Sequence, residues 1–205
     1  FTFNGAPPYA NRASHKAGLE LRGAPSKMTD AIGFTTNGTQ WLESKRAGPF
    51  ISDYMILSSR FTVFVRVASG TMEQVSNARI VAIAADHTKQ NFSLIQNRND
   101  LIIRFQTWVT GINGTTPQFV VRNVFRDTLT HPIIVTFDAE HLRVYVDDIY
   151  HVYTATLGPG FAFFNRLTPW QRNCELSSIS SDMFEPAFRV LLFIPFGILL
   201  GIALM

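Results

Sequence analysis

Apolar and polar residues alternate with a period of two along most of the chain from residue 17 to about residue 181. In Phe61–Val67 every odd position is apolar, while Thr62 and Arg66 belong to the other face. Leu101–Gln106 and Leu142–Val146 repeat the pattern. This alternation is typical of strands that place one face on a hydrophobic core.

Shorter apolar runs separated by turn residues predict further strands. They are Gly18–Leu21, Ala31–Thr35, Arg79–Ala84, Asn91–Ile95, Gln118–Phe125, Ile133–Phe137, Ile149–Thr154 and Cys174–Ser178. Their spacing is close to the 8–12 residues typical of β-sandwiches, and no segment in this region shows a convincing amphipathic helix. The pattern therefore predicts an all-β domain made of two antiparallel sheets.

A hairpin is predicted where only two residues separate two of these strands. Only Asp147 and Asp148 lie between Val146 and Ile149, which leaves room for a two-residue turn. Such turns require positive φ angles, which aspartate tolerates. We therefore interpret Asp147 and Asp148 as turn residues rather than as metal ligands.

The chain ends in an apolar run. Val190–Met205 contains no charged residue, and the eighteen residues from Phe188 onward would rise about 27 Å as a helix. This length is close to the roughly 30 Å hydrocarbon core of a bilayer. Pro195 is tolerated in membrane helices, and Gly197 and Gly201 have the spacing that lets such helices pack closely. The run predicts the start of a transmembrane helix; the alternative is a buried helix of a soluble core.

These patterns divide the chain into three parts. Residues 1–16 are rich in Pro, Gly and Asn and are interpreted as a linker, residues 17–184 as the β-sandwich, and residues 186–205 as the start of the transmembrane helix. A length of 205 residues suits one domain with an appendage.

Composition narrows the function classes. The net charge is only +3, and no block of Lys and Arg is present, so nucleic acid is not an expected partner. Cys174 is the only cysteine, which excludes an internal disulfide, and no Cys/His spacing is typical of a zinc site. Aromatic residues make up 13% of the chain, which favours strands.

Three segments occur in order along the chain: RIVAIAADHTKQNFSLIQNRNDLIIRFQT (Arg79–Thr107), HPIIVTFDAEHLRVYVDDIYHVYT (His131–Thr154) and FNRLTPWQRNCELSSISSDMF (Phe164–Phe184). In the second, a strand ending in T-F-D, a tight turn, L-R-V-Y-V and a two-residue turn follow one another. Together these segments resemble the laminin-G-like branch of the concanavalin A-like lectin/glucanase superfamily, and the second is the most characteristic. Asp148 stands where that family commonly has glycine. The resemblance implies a jelly-roll sandwich.

The C-terminal LLFIPFGILLG (Leu191–Gly201) resembles the start of VanZ-like membrane domains, whose first helix carries a similar F-x-P-F-G. NRASHKAGLELRG (Asn11–Gly23) fits the beginning of the lectin-like domain in bacterial proteins with this fused architecture. The resemblance implies a cell-membrane protein whose sandwich lies on the extracytoplasmic side.

Catalytic carboxylates were sought because the superfamily includes glycoside hydrolases, which need two of them across the scissile bond. Asp138 and Glu140 have the i, i+2 spacing of the glucanase branch, but they lie in a turn at the end of a strand. The pattern therefore favours a non-enzymatic domain. The acidic pairs considered are Asp138/Glu140, Asp147/Asp148 and Asp182/Glu185.

Ligand-binding candidates are aromatic and polar residues outside the predicted core. Trp108 follows a strand and precedes a long loop, and Trp41 lies in a polar segment. Asp86 and Asn91 bound a loop whose oxygens could bind Ca²⁺; no other cofactor is expected. Trp108, Trp41, Asn91 and Asp86 are therefore the predicted binding residues, for carbohydrate or another cell-envelope ligand.

Two alternatives to a lectin-like domain remain open. One is a structural or protein-interaction sandwich that binds no sugar, which apolar sheet-face residues such as Phe64 and Ile102 favour. The other is a glycosidase that uses Asp138.

Overall fold

The computed structural model describes residues 18–23, 40–44, 47–84, 90–167, 173–176 and 183–204. The predicted linker 1–16 and the predicted strand Ala31–Thr35 lie outside these residues. The strands are β1 (Glu20–Arg22), β2 (Trp41–Glu43), β3 (Arg60–Val67), β4 (Ala78–Ala84), β5 (Gln90–Asn97), β6 (Asp100–Phe105), β7 (Gln118–Val121), β8 (His131–Asp138), β9 (His141–Val146), β10 (Val152–Thr156) and β11 (Asn173–Glu175). The helices are α1 (Ala47–Ser58), α2 (Pro159–Leu167) and α3 (Phe184–Ala203).

The strands form two large sheets and one small one. The five-stranded sheet has the order β11-β7-β6-β5-β4, the four-stranded sheet has the order β10-β9-β8-β3, and β1 pairs with β2. Every pairing is antiparallel except that of β11, which runs parallel to β7. The prediction of purely antiparallel sheets is therefore wrong at β11. The chain reaches β11 only after crossing from the other sheet through α2, so a hairpin does not dictate its direction.

The two large sheets face each other across one core, and together they are called the two-sheet body here. Alternate residues of β8 are buried, as the period of two requires. In β6 the residues of the inner face, Leu101, Ile103 and Phe105, are likewise buried. The ring centroids of Phe105 and Phe137, which belong to different sheets, lie 4.8 Å apart. Phe61 contacts Phe92 across the same gap at 5.0 Å. The strands predicted from alternation therefore form, with their apolar faces directed into a shared core.

The predicted two-residue turn after β9 is wrong. β10 begins at Val152, which pairs with Tyr145, so five residues link the two strands. The carboxylate of Asp148 accepts the backbone N–H groups two and three positions later, at 2.7 and 2.8 Å. Asp147 has a φ of 66°. These local bonds widen the turn, because an aspartate side chain competes with the strand ladder for backbone donors.

Two helices occur where the sequence predicted none, so the all-β prediction is wrong for these segments. α1 begins after Ser44, whose hydroxyl accepts the Ala47 N–H at 3.2 Å, and Pro49 lies in its first turn. α2 begins at Pro159, a favoured first residue of a helix. The sequence pattern does not predict α1, because apolar side chains occur on the exposed face of this helix as well as on the face that packs against the sheets.

α3 is, within the described residues, the one helix long and apolar enough to cross a membrane. Its twenty residues rise about 30 Å. None of them is buried, so the alternative of a helix enclosed in a soluble core does not fit. Pro195 lies inside the helix without ending it.

Candidate binding cavity at the helical end

One end of the two-sheet body carries all three helices. Arg60 pairs with Asp138 where β3 begins and β8 ends, and His141 pairs with Thr156 where β9 begins and β10 ends. α1 leads into β3, α2 follows β10, and α3 packs on α2. This end is called the helical end below. Leu157, between β10 and α2, closes it by donating its N–H to the Glu140 carbonyl at 2.7 Å.

A cavity of about 240 Å³ opens at the helical end between the two sheets. Its floor is apolar and comes from both sheets: Phe61 and Phe137 from the four-stranded sheet, and Phe105 from the five-stranded sheet. Leu157 completes the floor. The other residues that line the cavity are Met55, Ile56, Ser59, Asn91, Gln106, Thr107, Trp108 and Ala139.

Trp108 stands at the rim of this cavity and is 68% exposed. It lies on a turn fixed by hydroxyl bonds. Thr110 Oγ1 donates to the Phe105 carbonyl at 2.6 Å, and Thr107 Oγ1 accepts the Val109 N–H at 3.2 Å. The Gly111 N–H reaches the Thr107 carbonyl at 3.0 Å. The backbone on both sides of Trp108 is therefore held by hydrogen bonds, while the indole itself is exposed to solvent.

Gly114 brings the rest of this loop back against β6. Its φ is 59°, and a Cβ there would collide with the backbone of Phe105. Only glycine combines this backbone conformation with so close an approach. The loop that carries Trp108 is thus packed on the strand that precedes it.

Asn91 forms part of the cavity wall and ties β5 to its neighbours. It is 9% exposed. The side-chain N–H₂ group of Asn91 donates to the Ser52 hydroxyl on α1. The backbone carbonyl of Asn91 accepts the Gln106 N–H at 2.9 Å. The structure therefore places two of the four predicted binding residues, Trp108 and Asn91, at one cavity.

The other two predicted residues are not part of this site. Trp41 is 57% exposed, but it pairs with Arg22 in the small sheet and does not line the cavity. Asp86 lies outside the described residues. The calcium site predicted for the loop between Asp86 and Asn91 therefore stays a prediction. Within the described residues, no three His, Cys, Asp or Glu side chains lie close enough together to hold a metal ion.

Asp138, the predicted glycosidase candidate, is bound within its own turn. Partial burial raises the pKa of Asp138, but hydrogen bonds from Arg143 at 2.6 Å and from His141 outweigh this and hold the pKa well below its usual range. A carboxylate kept anionic by an arginine does not supply the proton that a glycosidase acid gives to the leaving group.

A buried histidine that contacts two aspartates, which the sequence pattern did not single out, lies at the opposite end of the body. His131 is 5% exposed, and its Nδ1 and Nε2 lie 2.8 Å from Asp147 Oδ1 and 3.1 Å from Asp127 Oδ1. The period of two could have revealed it, because His131 occupies the same inward set of positions as Ile133 in β8. The cluster joins the loop before β8 to the loop after β9.

A second, polar groove of about 430 Å³ lies on the outer face of the five-stranded sheet. Ile102 and Val120 are among its apolar lining residues, and two pairs of its polar side chains are hydrogen-bonded, Gln118 with Asn173 and Arg122 with Asp100. The bond between Arg122 and Asp100 is 2.6 Å long. The remaining lining residues are Val75, Asn97 and Arg98.

Comparisons of the chain with protein-family models, with curated proteins and with solved structures found no match. The cavity with Trp108 on its rim and the apolar surface of α3 therefore serve as the main basis for inferring a function. The contribution of Met55 and Ile56 to this cavity was not predictable from the sequence pattern, because that pattern does not predict α1.

Proposed function

We propose that this chain is a non-enzymatic, extracytoplasmic, lectin-like domain that binds carbohydrate or another cell-envelope ligand and is tethered to the membrane by α3. The observation that carries the proposal is that the exposed indole of Trp108 and the largely buried Asn91 line the same cavity. An aromatic face next to a few polar groups is the usual make-up of a small-ligand site.

The size of the cavity indicates how a ligand would sit. About 240 Å³ is below the roughly 300–1,000 Å³ of typical small-molecule sites. The cavity would therefore hold one ring or substituent of a larger ligand, with the remainder lying across Trp108. Because the turn that carries Trp108 is already ordered by Thr107 and Thr110, binding would cost little additional ordering.

The resemblance of the sequence to laminin-G-like and VanZ-like domains supports the finer parts of the proposal. It supports a jelly-roll type for the two-sheet body and an extracytoplasmic position for it. It also supports α3 as the first helix of a VanZ-like membrane domain. The unburied apolar surface of α3 is consistent with that role.

Binding of purified cell-wall polysaccharides and arrayed glycans by the full chain in detergent micelles tests this proposal. We expect Trp108→Ala to reduce binding at least tenfold while the near-UV circular dichroism stays unchanged. Trp41→Ala is the matched control, because Trp41 is similarly exposed but does not line the cavity. A folded wild-type chain that binds no glycan, or a Trp108→Ala variant that binds as tightly as wild type, would contradict the proposal.

A protein-interaction role is a second candidate, which α1 favours. Phe50, Tyr54 and Leu57 are spaced i, i+4 and i+7, so they lie along one face of the helix, and they are 73%, 67% and 86% exposed. Chemical cross-linking in membranes tests this role. Loss of a defined cross-linked partner in Tyr54→Ser, with glycan binding retained, would support it; identical cross-links in the variant and wild type would not.

A further inference from the structure

Exposed apolar side chains occur on the elements that meet at the helical end. Ile56 and Trp108 stand at the mouth and are 62% and 68% exposed. Ile112, on the loop between β6 and β7, is 61% exposed, and Leu167, at the end of α2, is 62% exposed. Four large apolar groups on one end of a protein indicate a surface that meets another apolar or amphipathic phase.

The same end holds the base of α3 firmly. Glu185 Oε1 accepts the Gly160 N–H at 2.8 Å, so α3 caps the first turn of α2. A Cβ at Gly160 would lie 2.5 Å from the Phe184 carbonyl oxygen, which shows how closely the two helices approach. Rings also meet along this contact, with the centroids of Phe163 and Phe188 5.5 Å apart.

α2 in turn contacts the loop that carries Trp108 and Ile112. The side-chain amide of Asn165 lies 3.5 Å from the Thr116 carbonyl, at the far end of that loop. The rim of the cavity and the base of α3 therefore belong to one connected surface. Arg166 on α2 and Arg189 on α3 are both exposed.

The distance from this surface to the apolar run is short. Val190 lies five positions after Glu185, which corresponds to a helical rise of about 7.5 Å. The headgroup layer on each side of a bilayer is about 5–8 Å thick, since the full thickness of about 40–45 Å includes a core of about 30 Å. A helix that enters the hydrocarbon near Val190 therefore brings the helical end into the headgroup layer.

We propose that the helical end of the two-sheet body lies on the lipid surface that α3 enters, with Trp108, Ile112 and Leu167 in contact with the headgroup layer. Tryptophan is enriched at this depth because its ring is amphipathic. Arginine side chains on the same surface attract anionic headgroups. The partner is thus the bilayer itself, and the surface is continuous with the helix that inserts into it.

The test uses the full chain reconstituted in vesicles of phosphatidylcholine and phosphatidylglycerol, with or without lipids brominated close to the headgroup. The fluorescence of wild type minus that of Trp108→Phe isolates the Trp108 signal. We expect brominated lipids to quench this difference signal at least twofold. The control is Tyr150→Trp in the Trp108→Phe background, because Tyr150 is 87% exposed on the β9–β10 loop at the opposite end. This probe should not be quenched.

Three outcomes would overturn the proposal. They are an unquenched Trp108 signal, equal quenching of the Tyr150→Trp probe, and a chain that does not float with the vesicles. Protection of Trp108 from acrylamide without quenching by brominated lipids would assign the surface to a protein contact instead. None of these measurements depends on a glycan ligand, so the result is independent of the function proposed above.

Discussion

Asp138→Asn removes one negative charge from the β8–β9 turn while leaving an acceptor in place. In the native turn, Asp138 Oδ1 accepts the His141 N–H at 2.8 Å, and an asparagine oxygen can do the same. Oδ2 accepts a hydrogen bond from Arg143 Nη1 at 2.6 Å, and this charge-assisted bond is what the variant weakens. Asp138→Ala, by contrast, removes both interactions.

The size of the effect follows from the exposure of the pair. A hydrogen bond between charged groups contributes about 1.5–3 kcal/mol to stability, but the side chains of Asp138 and Arg143 are 40% and 38% exposed, so solvent screens part of this. We expect Asp138→Asn to lower the free energy of unfolding at pH 7 by about 1 kcal/mol. Asp138→Ala should lower it by about 2 kcal/mol, because the turn also loses its side-chain acceptor.

The effect should depend on pH. Because the pKa of Asp138 is lower in the folded chain than in the unfolded chain, its contribution is fully present above about pH 5 and is lost progressively as the pH falls past the unfolded pKa of about 4 towards the lower folded pKa. Unfolding followed by near-UV circular dichroism in detergent micelles at pH 7, 5 and 3 measures this. Glu140→Gln, in the same turn, is the control and should leave stability unchanged.

Two results would refute this reasoning: an Asp138→Asn variant as stable as wild type at pH 7, or a difference between them that is as large at pH 3 as at pH 7. The same variant bears on the glycosidase alternative. β-Glucan hydrolysis that is present in wild type and lost in Asp138→Asn would show that Asp138 has a catalytic role and would contradict the non-enzymatic proposal.

Three further predictions concern packing and reactivity. Gly160→Ala should lower the free energy of unfolding by about 1–3 kcal/mol, because the added Cβ collides with the backbone of α3. Gly48→Ala should raise the free energy of unfolding by up to about 1 kcal/mol, because there is open space around Gly48. Equal effects of the two substitutions in thermal unfolding would refute the packing argument. His131→Asn should cost about 1–3 kcal/mol in a denaturant titration, because it disrupts the buried contact with Asp147; a neutral result would contradict this. Burial raises the pKa of Cys174 from 9.0 to about 11. At pH 8 the thiol of the folded chain should therefore react with a disulfide reagent roughly a hundredfold more slowly than the thiol of the chain unfolded in urea. Equal reaction rates would exclude such burial.

The strands were predictable because burial of one face imposes a period of two. β3, β6 and β9 follow the runs Phe61–Val67, Leu101–Gln106 and Leu142–Val146 closely. Their inward residues meet in the core because those positions are apolar and the alternate ones are largely polar. Local pattern thus determines these elements almost completely.

α1 and the turn after β9 were not predictable on the same basis. α1 exposes Phe50 and Leu57, so it lacks the polar face by which a helix pattern is recognised. In the turn, the bonds that Asp148 forms with later backbone N–H groups decide the length of the loop, and alternation carries no information about them.

The cavity was only half predictable. Trp108 and Asn91 were predicted separately as ligand-binding residues, Trp108 as an aromatic residue after a strand and Asn91 as a polar residue beside a loop. That they share one cavity depends on the pairing of β5 with β6 and on the position of α1, which supplies Met55. Such contacts join residues distant in sequence, so they follow from tertiary packing and not from local composition.

The hydrogen bond from the Gly160 N–H to Glu185 joins the first turn of α3 directly to the first turn of α2. In a bilayer, a tilt of α3 would therefore be passed on to α2 through this contact. Membrane helices commonly tilt by about 20°, and the angle responds to bilayer thickness. The height of Trp108 above the lipid would then change with the thickness of the bilayer, because α2 contacts the loop that carries Trp108.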